Sequence, residues 1–323
     1  MADSPSNPHD AYFRQVMSRP ADAAGELQAV LPKEVATLLD WDTLILQPCS
    51  FVSQQLRSRY SDLLFRTRLN DHPAYIYLLV EHQSRPDPLM PMRMMEYLVG
   101  IWNRHVREFP KTKTLPAVIP LVVHASPDGR RWDAASELSE LIDVDPAARE
   151  ALGEYLPRFR FLLDDLTVHT VSALCARDLT STTRVLLVLL KIAAGNRRLA
   201  DDMLPLIEDL LAIVSAPGGV EALECVVTYI LSVGETKVAE LGAVFDRLGP
   251  NVKEVIMSTA ERLRAEGEVR GRAEALLELL VVKFGAVPAS VAEVVRGADA
   301  GQLRVWAARV LGADSLDGVF QTP

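Results

Sequence analysis

Two β-patterned runs joined by four turn residues constrain the fold most. In YSDLLFRTRL (60–69), Leu63, Phe65, Thr67 and Leu69 fall on one face, and Asp62, Leu64, Arg66 and Arg68 on the other. NDHP (70–73) is a strong turn signal. AYIYLLVEHQ (74–83) follows as a second strand, so 60–83 is predicted to be a hairpin. Strand side chains alternate, which puts Gln83, Glu81, Leu79, Tyr77 and Tyr75 on one face and His82 on the other. A hairpin brings the start of its first strand to the end of its second. Asp62 therefore comes beside Glu81, and two carboxylates and an amide oxygen converge at one end of a sheet.

The flanking sequence supplies the rest of an α/β unit. HDAYFRQVMSRPADAAGELQAVLP reads as two helices broken at Pro20, with Asn7 or Asp10 as the first N-cap. TLILQPCSFV (43–52) is β-rich, with Pro48 at a kink or edge. Met94, Leu98, Ile101, Trp102 and Val106 recur at helical spacing after Pro91. LPAVIPLVVHA is nearly all apolar, as a strand covered on both faces is. The order is helix, three strands, helix, strand, and another short strand is expected within 158–166. From about 178 the chain turns helical (178–194, 200–214, 218–232, 235–247 and 252 to about 284) and ends in a small helical unit. The expected divisions are 8–175, 176–250 and 251–323. Gly267 and Gly271 share a helix face with Ala275, which reads either as a close helix contact or as a solvated helix with weak spots.

Several function classes lose support. Cys49, Cys175 and Cys225 are far apart and form no CxxC pair, against a disulfide framework or a zinc site. Neither a GxxxxGK[ST] loop nor a GxGxxG turn occurs, so nucleotide cofactors have no support. The polar MADSPSNPHD start argues against a secretory signal. The apolar run RVLLVLLKIAAG is too short for a bilayer, so a cytoplasmic protein with no membrane partner is expected. Net charge is −9, yet residues 1–125 hold 13 basic and 13 acidic side chains, so the excess lies wholly in the second part. Residues 57–113 hold 10 basic and 6 acidic side chains, which allows a locally basic surface around the hairpin.

Two carboxylates and an amide oxygen suit a hard divalent cation. Mg2+ takes oxygen ligands, keeps several waters and accepts phosphate oxygens. Without a cation the paired acids would repel, and one would hold a proton. Spacing alone also allows, and more readily, solvated rim acids or acids paired with Arg66, Arg68 or Arg85.

NPHDAYFRQVMSRP, SFVSQQLRSRYSDLLFRTR, YIYLLVEHQSRPDPLMPMRMMEYLVGIWNRH and LPAVIPLVVH together resemble the Rpn (YhgA-like) recombination-promoting nuclease family of the PD-(D/E)XK superfamily. The resemblance spans roughly 8–240, and the tail from about 270 is similar to a helical domain that follows such nucleases. It implies a PD-(D/E)XK-like core, a Mg2+-dependent DNA endonuclease (Mn2+ or Ca2+ being alternatives), and roles in recombination, mobile elements or defence. It implies Asp62 and Glu81 as metal ligands, with the His82 carbonyl as a further ligand. Gln83 stands where the superfamily has lysine and would position water or phosphate, although the Rpn-type motif itself often reads EHQS. A neutral amide cannot replace a lysine's charge, so activity should lean on the metal and be low. Asp10 is either a further acid of the site or only a helix cap. His9 is expected to cap or pack. Arg57, Arg59, Arg66, Arg68 and Arg85 are candidate phosphate contacts. His105, Trp102, Met92, Met94 and Met95 are read as core and helix surface. A homodimer through the helical C-terminal half would let each subunit cut one strand. The alternative is a catalytically weak or inactive nucleic-acid-binding or assembly protein on the same fold.

Overall fold

The computed structural model describes residues 7–48, 61–70, 72–81 and 86–320, and of Ser61, Val80, Glu81, Ala243, Phe245, Pro250 and Asn251 only the backbone. The chain forms two compact units, one ending at Lys253 and the other beginning at Glu254.

In the first unit, α1 (Pro8–Met17) and α2 (Pro20–Val30) both place proline in their first turn, where its missing N–H costs nothing. Pro20 thus starts the second helix. α3 (Lys33–Ala36) leads into a five-stranded sheet of β1 (Leu39–Gln47), β2 (Ser61–Leu69), β3 (His72–Glu81), β4 (Ala117–His124) and β5 (Leu162–Asp165). The strands lie in chain order, β1 to β3 antiparallel and β3 to β5 parallel. The predicted hairpin is present, and its turn carries Asn70 at φ 50°, a left-handed conformation that asparagine tolerates. β1 begins four residues before the predicted 43. Its register shifts between Asp40 and Ile45, and there the hydroxyls of Thr43 and Thr67 both donate to the Asp40 carbonyl. That bulge breaks the alternation from which a strand is read. The proposed continuation to residue 52 lies outside the described residues.

α4 (Met90–Glu108) connects β3 to β4 and covers one face of the sheet. Met90, Met94, Tyr97 and Ile101 pack there on Leu64, Tyr77, Leu79, Val122 and Phe161. Each such side chain contributes roughly 1.5–3 kcal/mol on burial. The alternate residues Leu63, Phe65, Ile76, Leu78, Leu121 and Val123 are buried on the other face. α1, α2 and α7 (Ser181–Ile192) pack together, and α1 and α2 also meet β2 and β1. Both faces are therefore covered, which is why β3 and β4 are nearly all apolar. Pro205 splits the helix expected at 200–214 into Leu199–Asp202, a 3-10 turn and Ile207–Ser215. In chain order α5 (Pro146–Leu152) and α6 (Val171–Cys175) precede α7, and α8 (Leu199–Asp202), α9 (Ile207–Ser215) and α10 (Gly219–Val233) follow it.

A buried polar network ties the second face together. Glu26 of α2 is fully buried, and Asp164 of β5 nearly so. Arg177 donates bidentately to Asp164 at 2.8 Å and to Glu26 at 3.2–3.3 Å. Burial, and then the Asp164 charge, push the Glu26 carboxyl well up, so it keeps its proton and hydrogen-bonds to Asp164. Asp164 is held below the usual carboxylate range because the hydrogen bonds of Arg177 and Glu26 outweigh its burial.

The second unit is built on the long helix Pro250–Phe284, followed by Ala289–Arg296, Ala300–Gly312 and Leu316–Phe320. Ala273, Leu276, Leu280, Val295, Leu303 and Val319 form its core. Asp299 and Gln302 make a reciprocal capping box. Gly267 and Gly271 face open space, the solvated alternative of the two readings.

Candidate active site

The β2–β3 register sets the geometry. Asp62 pairs with Leu79 and Ser61 with Val80, so Glu81 lies one step past the described start of β2. By alternation Glu81 shares the face of Leu79 and Asp62. It is the diagonal neighbour of Asp62, at a separation of about 7–8 Å, within which two carboxylates can reach one cation. Predicted to lie side by side, the pair is offset by two residue pairs, Ser61 and Val80 intervening. Glu81 pairs with His124 across the parallel boundary, and His124 with Asp165. The site thus sits at the carboxyl ends of the parallel strands, where open α/β sheets bind ligands.

Asp62 is buried, at 6 % exposure. Burial raises its carboxyl to about 7; the neighbouring Tyr77 hydroxyl and the charge of Arg14 lower it, and the Asp10 charge raises it. Asp10 is raised to about 6, by burial against the opposing charge of Arg14. Tyr77 is itself held by stacking on Tyr97 of α4, with ring centroids 4.7 Å apart. Asp10, Arg14, Asp62 and Tyr77 are therefore one electrostatic cluster, contributed by α1, β2 and β3.

Asn7, not Asp10, caps α1, its side chain accepting from the His9 N–H. This frees Asp10 from the capping role and leaves it beside Asp62. His9 packs, as expected, its Nδ1 2.8 Å from the Tyr229 hydroxyl of α10. The reading of Asp62 as a rim acid paired with Arg66 or Arg68 does not fit. Those exposed arginines lie four and six residues along β2, about 13–20 Å from Asp62. The same separation removes both from the immediate surroundings of a phosphate at Asp62. Arg57, Arg59, His82, Gln83 and Arg85 lie outside the described residues. Among the described residues no three His, Cys, Asp or Glu side chains group to hold a metal, and the Glu81 side chain is not among them.

Arg14 and Tyr77 are the site residues that sequence reasoning missed. Arg14 follows Asp10 by four residues, a spacing that places both on one helix face. Tyr77 shares its strand face with Glu81, but nothing in an apolar strand marks which tyrosine hydroxyl meets a carboxylate. Among the described residues no helix is long and apolar enough to cross a membrane.

Residues 7–218 match the family model described as "Putative transposase, YhgA-like". The chain is 31% identical over 261 residues to "Recombination-promoting nuclease RpnD" of Escherichia coli O157:H7, covering 80% of this chain and 94% of that protein. It is 31% identical over 266 residues to "Recombination-promoting nuclease RpnA" of Escherichia coli (strain K12), covering 81% and 85%. It is also 29% identical over 277 residues to "Inactive recombination-promoting nuclease-like protein RpnE" of the same strain, covering 84% and 87%. No solved structure matches significantly.

Proposed function

The chain belongs to the YhgA-like, recombination-promoting nuclease family, and from that membership we propose that it is a divalent-cation-dependent DNA endonuclease acting at the Asp62 cluster. The observation that carries the reading is the buried Asp62 with Asp10 as its acidic neighbour. Both carboxyls are raised, to about 7 and about 6, so the fold holds acids whose ionisation it disfavours. A cation favours their ionised forms and offsets that cost. All candidate donors are oxygens, which suits Mg2+ and, by the same chemistry, Mn2+ or Ca2+.

Asp62 and Glu81 would hold the ion, with Asp10 as a further acid and the His82 carbonyl as a further donor. The ion supplies charge neutralisation for the phosphodiester as it is attacked. Tyr77 fixes the Asp62 carboxylate through its hydroxyl, and Tyr97 fixes the Tyr77 ring. Arg14 stabilises the ionised acids of α1 and β2. Gln83 orients the attacking water or a phosphate oxygen, because an amide can donate and accept at once.

A second reading is favoured by one specific observation. The relative named inactive matches about as closely as those named nucleases, and over as much of the chain. In that reading the fold binds DNA without cutting it.

Supercoiled plasmid incubated with the full chain separates the two. Mg2+-dependent nicking that EDTA, Asp62→Ala and Glu81→Ala each abolish supports the endonuclease. Retardation of the plasmid without nicking by the folded wild type supports the binding protein.

A further inference from the structure

We propose that Arg130 and Arg131 form a phosphate clamp that holds the DNA backbone beside Asp62 and Glu81. The clamp rests on the reading that this chain acts on DNA. It supplies backbone contacts that Arg66 and Arg68 are too distant to make at this site.

β4 ends at His124, which lies in register with Glu81, one strand spacing or about 4.8 Å away. By alternation His124 shares the face of Val122, and so that of Leu79, Glu81 and Asp62. Its ring is wholly buried. A carbonyl oxygen only accepts, so the His124 Nε2–H donates to the Arg130 carbonyl, at 3.1 Å. A buried imidazole next to the acid pair thus gives its N–H to fixing the loop that follows β4.

The loop is pinned at further points. The Gly129 N–H donates to the Ser126 carbonyl at 3.0 Å, and Gly129 closes that turn with a φ of 65°, which glycine adopts without strain. The Arg130 N–H donates to Ser126 Oγ at 3.3 Å. The Trp132 N–H donates to Asp165 Oδ2 at 2.9 Å, and Thr167 holds the other oxygen of that carboxylate through its N–H and its hydroxyl. The Trp132 ring meets His124 and Phe161 edge-on, with centroids 5.2 and 5.8 Å away. The backbone of Arg130 and Arg131 is therefore fixed at the carboxyl end of the sheet, on the face of the acid pair.

The fold makes no use of the two side chains. Both arginines are exposed, and among the described residues neither forms an ion pair or a side-chain hydrogen bond. Arg104, Arg149, Arg160 and Arg177, by contrast, each donate to a carboxylate or a carbonyl. Asp128 and Asp133, the acids of the same loop, are exposed and unpaired as well. With these acids nearby the arginines act by contact and not by long-range attraction. A free guanidinium on an anchored backbone suits a phosphodiester. Its fork takes two phosphate oxygens at once, and the preset backbone lowers the cost of ordering. Such contacts fix the register of a duplex on the protein without reading its sequence.

The test is binding of the full chain to a labelled DNA duplex in EDTA, followed by fluorescence anisotropy over a series of salt concentrations. Each phosphate contact contributes about 0.9 to the slope of log K against log salt. R130A/R131A should lower the slope by about 1.8 and weaken binding roughly 60-fold at 0.1 M salt, since two contacts are worth about 1.8 decades between 1 M and 0.1 M. R130K/R131K keeps both charges and should keep the slope, with affinity falling less than about ten-fold. Plasmid nicking in Mg2+ by the same proteins separates the clamp from the nuclease reading. A wild type that nicks, beside an R130A/R131A variant that loses neither slope nor affinity, overturns the clamp and leaves the nuclease standing. A slope that falls in R130A/R131A while wild type does not nick supports the clamp on a protein that binds DNA without cutting it. A wild type that binds no duplex in EDTA overturns the clamp whether or not it nicks.

Discussion

Replacing Asp62 with asparagine should stabilise the metal-free protein, and the gain should grow with pH. The unfolded carboxyl loses its proton near 3.8 and the folded one near 7. Between those values the folded state holds more protons than the unfolded state, so stability falls as pH rises, and above about 7 the loss is complete. At about 1.36 kcal/mol per pH unit, the ionised Asp62 costs the fold about 1.5 kcal/mol at pH 5 and about 4 kcal/mol at pH 8. Asparagine carries no charge, yet it can still accept from the Tyr77 hydroxyl. Urea unfolding in EDTA at the two pH values measures the difference. D62N should exceed wild type by a margin about 2–3 kcal/mol larger at pH 8 than at pH 5. Added Mg2+ should then stabilise wild type at pH 8 and leave D62N unchanged, because only a protein that binds the ion gains from it. A D62N protein less stable than wild type at both pH values would refute the reasoning. It would mean that Arg14 and Tyr77 fully compensate the Asp62 charge and that the site needs no cation.

Glu26→Gln should change stability little, since Glu26 already keeps its proton, whereas Arg177→Met should cost about 3–5 kcal/mol by leaving the ionised Asp164 buried without its cation; denaturant midpoints of the two variants check the contrast. Asp299→Ala removes the capping box of the helix Ala300–Gly312 and should cost the second unit about 1 kcal/mol, read by amide exchange in that helix. Asp10→Asn should weaken Mg2+ binding less than Asp62→Ala does, because Asp10 is the less buried of the two acids; calorimetric titration of both ranks them.

The hairpin was legible because β2 alternates, β3 is a continuous apolar run and NDHP between them is a turn signal, although His72 and Pro73 already pair with β2. The β3–α4–β4 crossover was legible because α4 switches to helical spacing and β4 has no polar position before His124. β1 was misplaced because its bulge hides the alternation, and the hydroxyls that stabilise the bulge come partly from β2. At the site, strand geometry alone set Asp62 and Glu81 at one end of the hairpin, and the register adds the offset between them. Arg14 could not be placed, because its approach to Asp62 depends on how α1 crosses β2. The Glu26–Arg177–Asp164 network was equally hidden. Its members are scattered over three elements, and only the packed fold shows that Glu26 is buried.

That network bears on how the chain is made. Glu26 leaves the ribosome 151 residues before Arg177, the cation that holds the ionised Asp164 beside it. At about 5–20 residues per second the wait is roughly 8–30 s. Until Arg177 arrives, α2 in its final place would bury the ionised Asp164 with no cation beside it. The N-terminal helices are therefore expected to dock late in synthesis. A nascent chain stopped before Arg177 should hold them loosely, with the apolar face of β2, β3 and β4 open to chaperones.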